Sequence, residues 1–457
     1  MDTNNRCYFT IIVQRPGDSA VLLQQTRHGW TLPRWDTGEI GYWQTVDHVN
    51  RAARTLIGTD VMTLRCLALV WDEGAPMMRC YLLAPLDAVW EPSDDLAFIE
   101  LDALDDIALA DPADEALLGR HLAERAEDAS RPPWMHVGWW AEAIGWIEMQ
   151  RAELDRLSLG PIEQIRTWER SCVLRIPLAG GALFFKAQPA MFAHELALLD
   201  LLAQTHAASL PTLVARDDRR IWTLTADLGD ANLENTPESS VWGAALAAYA
   251  AMQRIAALHV ADLSDAGVPR ADLDTLRDSI APFFAELAGY PTVDAPMVLA
   301  LTVQIPALQS ACDALAAAGL PLTIDHGDLT PANIALCDAT PVITDWSDSS
   351  LSHPFFSPAL LLRKSGPLLF PDAPAELAQI RDAYLAGWAD DDRVDRADVM
   401  DGLRDAFALA AELAPLHLAL QYHRRIVPQM TARWEMHNMV GYFLGMLLPP
   451  HDGAAGG

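Results

Sequence analysis

Lysine is almost missing from this 457-residue chain: Lys186 and Lys364 are the only two, and every other basic residue is an arginine. A chain so biased keeps a lysine where the bulk and planar fork of arginine would not serve, which singles out Lys186 before any motif is read. No run reaches the roughly 20 apolar residues of a membrane helix. The opening residues hold no basic stretch followed by an apolar core, so no secretory signal is read there and a cytoplasmic setting is expected. The six cysteines are scattered and none forms a C-x-x-C pair, which argues for buried thiols and against a cysteine metal site. No internal repeat is evident. Positive charge is scarce overall, with 32 basic residues against 62 acidic ones and a net charge of −30. That balance repels nucleic-acid backbones and acidic membrane surfaces, so neither is expected as a partner. It serves solubility equally well and names no ligand by itself.

What is present is a folded chain, 51 % hydrophobic and 21 % charged, long enough for two or three domains. Residues 6–130 read as an α/β unit. CYFTIIVQR, SAVLLQQT, MTLRCLALVW and MRCYLLAPL are strand-like runs, with a Pro-Gly turn at Pro16-Gly17. A helix is expected near 45–57, and DPADEALLGRHLAERAED predicts an amphipathic helix with an acidic first turn. Trp30-Thr31-Leu32-Pro33, then Gly38-Glu39, then a helix ending Arg51-Ala52-Ala53-Arg54-Thr55-Leu56-Ile57-Gly58, resembles a Nudix domain. In an active Nudix enzyme that helix carries the glutamates that bind divalent metal for pyrophosphate hydrolysis. Here those places hold Ala52, Thr55 and Leu56. The resemblance therefore implies a module that cannot hold the metal and has lost the hydrolase chemistry.

Ser130-Arg131-Pro132-Pro133 marks a boundary, because paired prolines stop a preceding helix. Trp134, Trp139, Trp140 and Trp146 follow at helical spacing and read as a packing surface rather than a stacking site for sugar or base. Residues 162–187 predict three strands, with a hairpin signal at Gly180-Gly181. MFAHELALLDLLAQ predicts a helix, IWTLTADLGDANL a strand and turn, and the chain from about 239 onward reads as helical. The interruption is residues 323–346, TIDHGDLTPANIALCDATPVITDW.

That segment carries the chemistry. Transfer of a γ-phosphoryl group needs a positioned nucleophile, neutralised phosphate charge and magnesium held between the phosphates. A hard cation takes oxygen ligands such as Asp and Asn, and the acceptor alcohol needs a carboxylate to orient it and take its proton. His326-Gly327-Asp328-Leu329-Thr330-Pro331-Ala332-Asn333 supplies an Asp and an Asn, and PVITDW places Asp345 at the end of a strand. Two short strands joined by a turn at 338–341 would bring Asn333 and Asp345 side by side.

This H-G-D-x-x-x-x-N plus strand-Asp arrangement is that of the aminoglycoside phosphotransferase and choline kinase families, relatives of the protein kinases. The resemblance implies an α+β, two-lobed kinase-like fold after the Nudix-like module: residues 1–130 for that module, 131–228 for an N-lobe with the Trp-rich helix, and 229–457 for a helical C-lobe. It implies Asp328 as catalytic base, Asn333 and Asp345 as Mg²⁺ ligands, and His326 as a brace for the loop. Lys186 ends a predicted strand, where a kinase lysine meets the α/β-phosphates, and Glu195 is the acid that would hold it. The stretch 222–229, with Thr225 and Asp227, resembles the hinge that accepts adenine.

Two places depart from the family. No G-x-G-x-x-G precedes Lys186; the turn is Trp168-Glu169-Arg170-Ser171, with Ser171 and its backbone neighbours as the phosphate cover, and ATP is expected with GTP still open. Where the family often has D-x-A, this chain has Ser357. The acceptor is expected to be a small hydroxylated molecule, whether antibiotic, amino alcohol or sugar-like metabolite. Asp390-Asp391-Asp392 would suit an amine-rich acceptor and Tyr422-His423-Arg424-Arg425 an acidic one, so the two signals oppose each other. The alternative reading is a nucleotide-binding sensor or pseudokinase, built from a degenerate module and a kinase-like one. Nothing in the sequence sets the oligomeric state.

Overall fold

The computed structural model describes residues 7–15, 20–39, 41–70, 77–153, 159–389 and 396–449. The Pro16-Gly17 turn and the acidic run at Asp390–Asp392 lie outside the described residues. The chain is α+β and divides into two compact units: Met1–Pro189 with Leu213–Asp227, and Ala190–Thr212 with Leu228–Gly457.

The first unit holds β1 (Cys7–Val13), β2 (Ala20–Thr26), β3 (Gly29–Thr31), β4 (Arg34–Thr37), α1 (Asp47–Ile57), β5 (Val61–Val70), β6 (Met77–Pro85), β7 (Leu96–Glu100), α2 (Pro112–Glu124) and α3 (Trp139–Glu153). It then adds β8 (Glu163–Trp168), β9 (Ser171–Leu178), β10 (Gly181–Ala187), β11 (Leu213–Asp217) and β12 (Trp222–Ala226). The strands form sheets ordered β4-β1-β6-β5, β3-β2-β7 and β11-β12-β10-β9-β8. β1 and β6 run parallel and the other pairs antiparallel.

One hydrophobic core serves both the N-terminal sheet and the five-stranded sheet, running from Ile12 and Leu82 to Cys172, Phe185 and Trp222. The Trp-rich segment sits inside it. Trp139 and Trp146 pack on Phe185 and Trp222 at ring-centroid distances of 5.7–6.1 Å, and Trp134 donates its indole N–H to the Trp168 carbonyl at 2.8 Å. These tryptophans are packing residues.

A polar knot seals the same seam. Gln164 on β8 is 3 % exposed. Its Oε1 accepts from the Thr63 backbone N–H at 2.8 Å and from Asn50 Nδ2 at 3.0 Å, and its Nε2 donates to the Thr63 carbonyl at 2.8 Å. One side chain thus satisfies both backbone groups of Thr63 where β5 shifts register against β6. Buried polar groups left without such partners are costly.

The second unit is mostly helical: α4 (His194–His206), α5 (Ser239–Leu258), α6 (Val260–Asp265), α7 (Leu273–Ala285), α8 (Ala295–Ala317), α9 (Phe356–Leu369), α10 (Pro374–Ala386), α11 (Arg396–Gln421) and α12 (His437–Gly445). Aspartates start two of these helices: Asp272 and Asp294 each accept from a backbone N–H in the first turn at 2.8 Å. Four short strands interrupt the helices, β13 (Thr323–Asp325) paired with β16 (Ser350–Ser352), and β14 (Ile334–Cys337) paired with β15 (Thr340–Ile343).

Removing the knot isolates its contribution. Gln164→Ala leaves the Thr63 N–H and carbonyl buried without partners, so the first unit should lose roughly 2–3 kcal/mol. Chemical denaturation followed by tryptophan fluorescence reads this. An unchanged midpoint would show that the seam does not depend on Gln164.

Candidate active site

β13 delivers the chain into His326-Gly327-Asp328, and Gly327 makes the turn possible. Its φ is +78°, and a Cβ there would stand 2.4 Å from the Asp348 carbonyl oxygen. No L side chain fits that approach. The Gly327 N–H donates to Ser357 Oγ at 2.9 Å, and the Ser357 N–H donates to Asp325 Oδ1 at 2.8 Å. Ser357, which stands where the family often has an aspartate, therefore fastens the start of α9 to the loop. α5 holds the loop from behind. Tyr249 OH accepts from the His326 N–H at 3.0 Å, while Gln253 Nε2 donates to the Ile324 and Pro354 carbonyls at 2.9 and 2.8 Å.

His326 is fully buried and links the two strand pairs. Its Nε2 bonds the Thr344 carbonyl at 2.9 Å, its Nδ1 accepts from the Asp328 N–H at 3.3 Å, and its ring lies 4.7 Å from Trp346. Those partners require the neutral imidazole protonated on Nε2. Burial lowers its pKa in the same direction, while its bond to Thr344 opposes the shift. The structure places it as the brace the motif suggested.

The β14–β15 hairpin turns through Asp338 and Ala339, both at positive φ, as a tight two-residue hairpin turn demands. Its register pairs Ile334 with Ile343, and the Thr344 N–H donates to the Asn333 carbonyl at 2.9 Å. Asn333 and Asp345 are thereby brought to the same end of the hairpin. Asn333 Nδ2 donates to the Asp328 carbonyl at 2.8 Å and to Asp328 Oδ2 at 3.2 Å. With the amide nitrogen committed, Oδ1 is the Asn333 atom suited to a cation. Asp345 adopts φ +58°, an uncommon conformation that concentrates at functional sites. Its Oδ1 accepts from Ser347 Oγ at 2.9 Å. Asp328 is exposed and Asp345 half-buried. Among the described residues no group of three or more His, Cys, Asp or Glu is assembled to hold a metal. An Asn and an Asp fit magnesium, which keeps water and phosphate oxygens in its remaining positions.

In the same unit, Glu195 opens α4 and is 5 % exposed. The residue before it, His194, meets Arg425 at 3.2 Å, and Arg425 also donates to the Ser349 and Ser347 carbonyls at 3.1 and 3.2 Å. Arg425, which the sequence suggested for an acidic acceptor, instead ties α4 to the stretch after Asp345. Its neighbour His423 bonds Tyr290 and Glu286 at 2.8 and 3.1 Å.

The first unit carries the remaining candidates. Lys186, half-buried on β10, stands between Val173 of β9 and Thr223 of β12. Thr225 Oγ1 donates to the Phe184 carbonyl at 3.3 Å, and the Asp227 N–H to the Ala182 carbonyl at 3.2 Å. Ser171 is 6 % exposed, and its Oγ accepts from Trp168 Nε1 at 2.9 Å. The turn beside it is clamped by the buried Arg131–Glu169 ion pair at 3.3 Å. No motif marks Gln253 or Tyr249, and the signal at Arg425 pointed to another role; all three act through contacts with residues distant in sequence.

A family model described as "Phosphotransferase enzyme family" matches residues 163–396. Among solved structures, a macrolide 2′-phosphotransferase from Brachybacterium faecium aligns with TM-score 0.45 and 16 % identity, over 68 % of this chain and 99 % of its own. Plasmodium vivax ethanolamine kinase aligns with TM-score 0.45 and 11 % identity, over 63 % and 81 %. A spectinomycin phosphotransferase in complex with ADP and spectinomycin aligns with TM-score 0.43 and 11 % identity, over 67 % and 94 %. No curated protein matches the chain.

The loop geometry predicts that Gly327→Ala abolishes phosphoryl transfer while circular dichroism still shows a helical protein. Wild-type activity in that variant would refute the close approach. Three buried histidines of the second unit set its acid limit. Burial pushes His194 down to about 4, with Arg425 adding to the effect, and pushes His353 down to about 3; His326 is lowered too. All three fold as neutral rings and titrate near 6.5 when unfolded. Their contribution is complete above pH 6.5 and is lost as pH falls from there toward 4 and 3. The melting temperature should drop by several degrees between pH 7 and pH 5, and a flat profile would contradict the assignment.

Proposed function

We propose, for a chain that belongs to the phosphotransferase enzyme family and is a small-molecule O-phosphotransferase, that Asp328 is the base in γ-phosphoryl transfer from ATP to an alcohol. The observation that carries this reading is the hairpin register that sets Asn333 beside Asp345 and bonds the Asn333 amide to Asp328. The exposed Asp328 carboxylate orients the acceptor hydroxyl and takes its proton. The hydroxyl oxygen forms the new bond to the γ-phosphorus, and the bond to the bridging oxygen breaks to release ADP.

Asn333 Oδ1 and the Asp345 carboxylate are the ligands we assign to Mg²⁺. When bound, the cation neutralises charge on the phosphates. Asp345 is held for this by Ser347 and by its own left-handed backbone, and His326 keeps Asp328 and the Thr344–Asp345 corner in register. Lys186 and Glu195 keep the roles that the resemblance gives them, phosphate contact and its supporting acid. Thr225 and Asp227 line the stretch assigned to the base, for which ATP is preferred and GTP remains admissible. The Ser171 hydroxyl is engaged by Trp168, so we give it the shaping of the turn and leave phosphate cover to the backbone there. Residues 1–130 we assign as a Nudix-like module that lacks the helix carboxylates, with Ala52, Thr55 and Leu56 in their place. The acceptor is a small hydroxylated molecule in the cytoplasm.

ADP release from Mg-ATP over a panel of alcohols, amino alcohols and sugars tests this. Asp328→Asn should lower turnover about 10²–10⁴-fold, and Asp345→Asn should raise the Mg²⁺ needed for half-maximal rate. Nucleotide binding without turnover across the panel would favour the sensor reading, to which the clamped turn at Glu169 and its shared core with the N-terminal module lend support.

A further inference from the structure

A pocket opens beside Asp328 within the second unit, and its two ends differ in charge. At one end lie Asp325, Gly327 and Asp328; at the other is Lys364. Between them the lining is apolar, chiefly Phe356, Leu360, Leu361, Leu418 and Phe443. Phe356, Leu360 and Lys364 recur at helical spacing along α9, so one face of that helix forms a wall. From Ser357, fastened to the Gly327 N–H, to Lys364 is two turns of helix, about 10 Å at 1.5 Å per residue.

Lys364 is half-buried, with its Nζ over the rings of Tyr442 and Phe443 at 5.1 and 5.6 Å from their centroids. Among the described residues no carboxylate pairs with it, although the chain has 62 acidic residues for 32 basic ones. Where carboxylates are so abundant, a partly desolvated ammonium that no described carboxylate pairs with is a position open to an anion from outside. A polycationic acceptor would have to bring an amine against this ammonium.

We propose that the acceptor is an amphiphilic hydroxy-anion: a hydroxyl at Asp328, an apolar body along α9, and one carboxylate or phosphate group at Lys364. This deepens the phosphotransferase reading and rests on it for the role of Asp328. Transfer forms the phosphate ester of the acceptor and ADP, with the hydroxyl proton passing to Asp328.

The test separates binding from turnover. Four probes of one medium chain length are titrated by thermal shift: the ω-hydroxy carboxylic acid, the ω-hydroxy alkyl phosphate, the neutral diol and the amino alcohol. The full chain is used as wild type, Lys364→Gln and Lys364→Arg. The expected result is that at least one anionic probe binds the wild type tenfold or more tighter than the diol. Lys364→Gln should erase that margin and Lys364→Arg should keep most of it. The tighter of the two anions identifies the headgroup. Equal or better binding of the diol or amino alcohol, a margin that survives Lys364→Gln, or no binding by any probe overturns the proposal. ADP release with the same probes is measured alongside for wild type and Asp328→Asn. Loss of the anion margin with Asp328-dependent turnover intact would sink the acceptor class alone. An intact margin with no turnover in any arm would instead count against the phosphotransferase mechanism.

Discussion

The backbone of Gly327 lies so close to Asp348 that a single methyl group there would meet the carbonyl oxygen at 2.4 Å. This approach joins the two halves of the loop system. On one side Gly327 precedes Asp328; on the other Asp348 follows Asp345. Once they touch, β13 and β16 must pair, His326 falls within reach of Thr344, and the Gly327 N–H points at Ser357. Each contact is modest alone, since a typical hydrogen bond contributes only about 1 kcal/mol. Together they leave the backbone at Asp328 little freedom, so that only its exposed side chain can turn. For the base we propose at Asp328, such a scaffold leaves less entropy to lose when the acceptor arrives.

The first unit shows a different economy. The sheet that carries Lys186 does not build its core alone. Phe185, next to Lys186, packs on Trp139, Trp146 and Trp222 inside a core that also takes residues from the N-terminal sheet. A five-stranded sheet has a face to cover. Here α3 and the N-terminal module cover it. The Gln164 knot and the Arg131–Glu169 pair extend that cover to the turn at 169–170. The N-terminal module therefore contributes through what it packs against, its apolar face being part of the core it shares with this sheet.

The legible and illegible parts divide by range. The His326–Asn333 loop, the strand before Asp345, the strand ending at Lys186 and the tryptophan packing could all be read in sequence, because periodicity and local spacing encode them. β3, β4 and β7 were not read: all three are short, and β4 and β7 pair with β1 and β2 across long separations. Gln253 escaped for a related reason, and Arg425 was singled out for an acidic acceptor and not for the contacts it makes. Each is an ordinary helix residue until the fold brings carbonyls to it from about 70 or more positions away. Ser357 was visible only as a departure from a pattern, and its role needed the Gly327 N–H to be located.

Arginine and lysine separate cleanly in this chain, and the geometry says why. Arg425 spends its fork on two carbonyls and an imidazole, work that requires several fixed donors in one plane. Arg131 does the same between Glu124 and Glu169. Neither task suits an ammonium, which offers a compact point charge on a flexible stem. Lys364 has the opposite setting, with aromatic faces below it and, among the described residues, no carboxylate paired with it. A guanidinium there would leave several donors unmet in a half-buried place, whereas an ammonium can lie on the rings and turn toward whatever anion enters. The scarcity of lysine, read first as a compositional bias, thus acquires a physical meaning at Lys364: the residue suits a charge whose partner is not part of the protein.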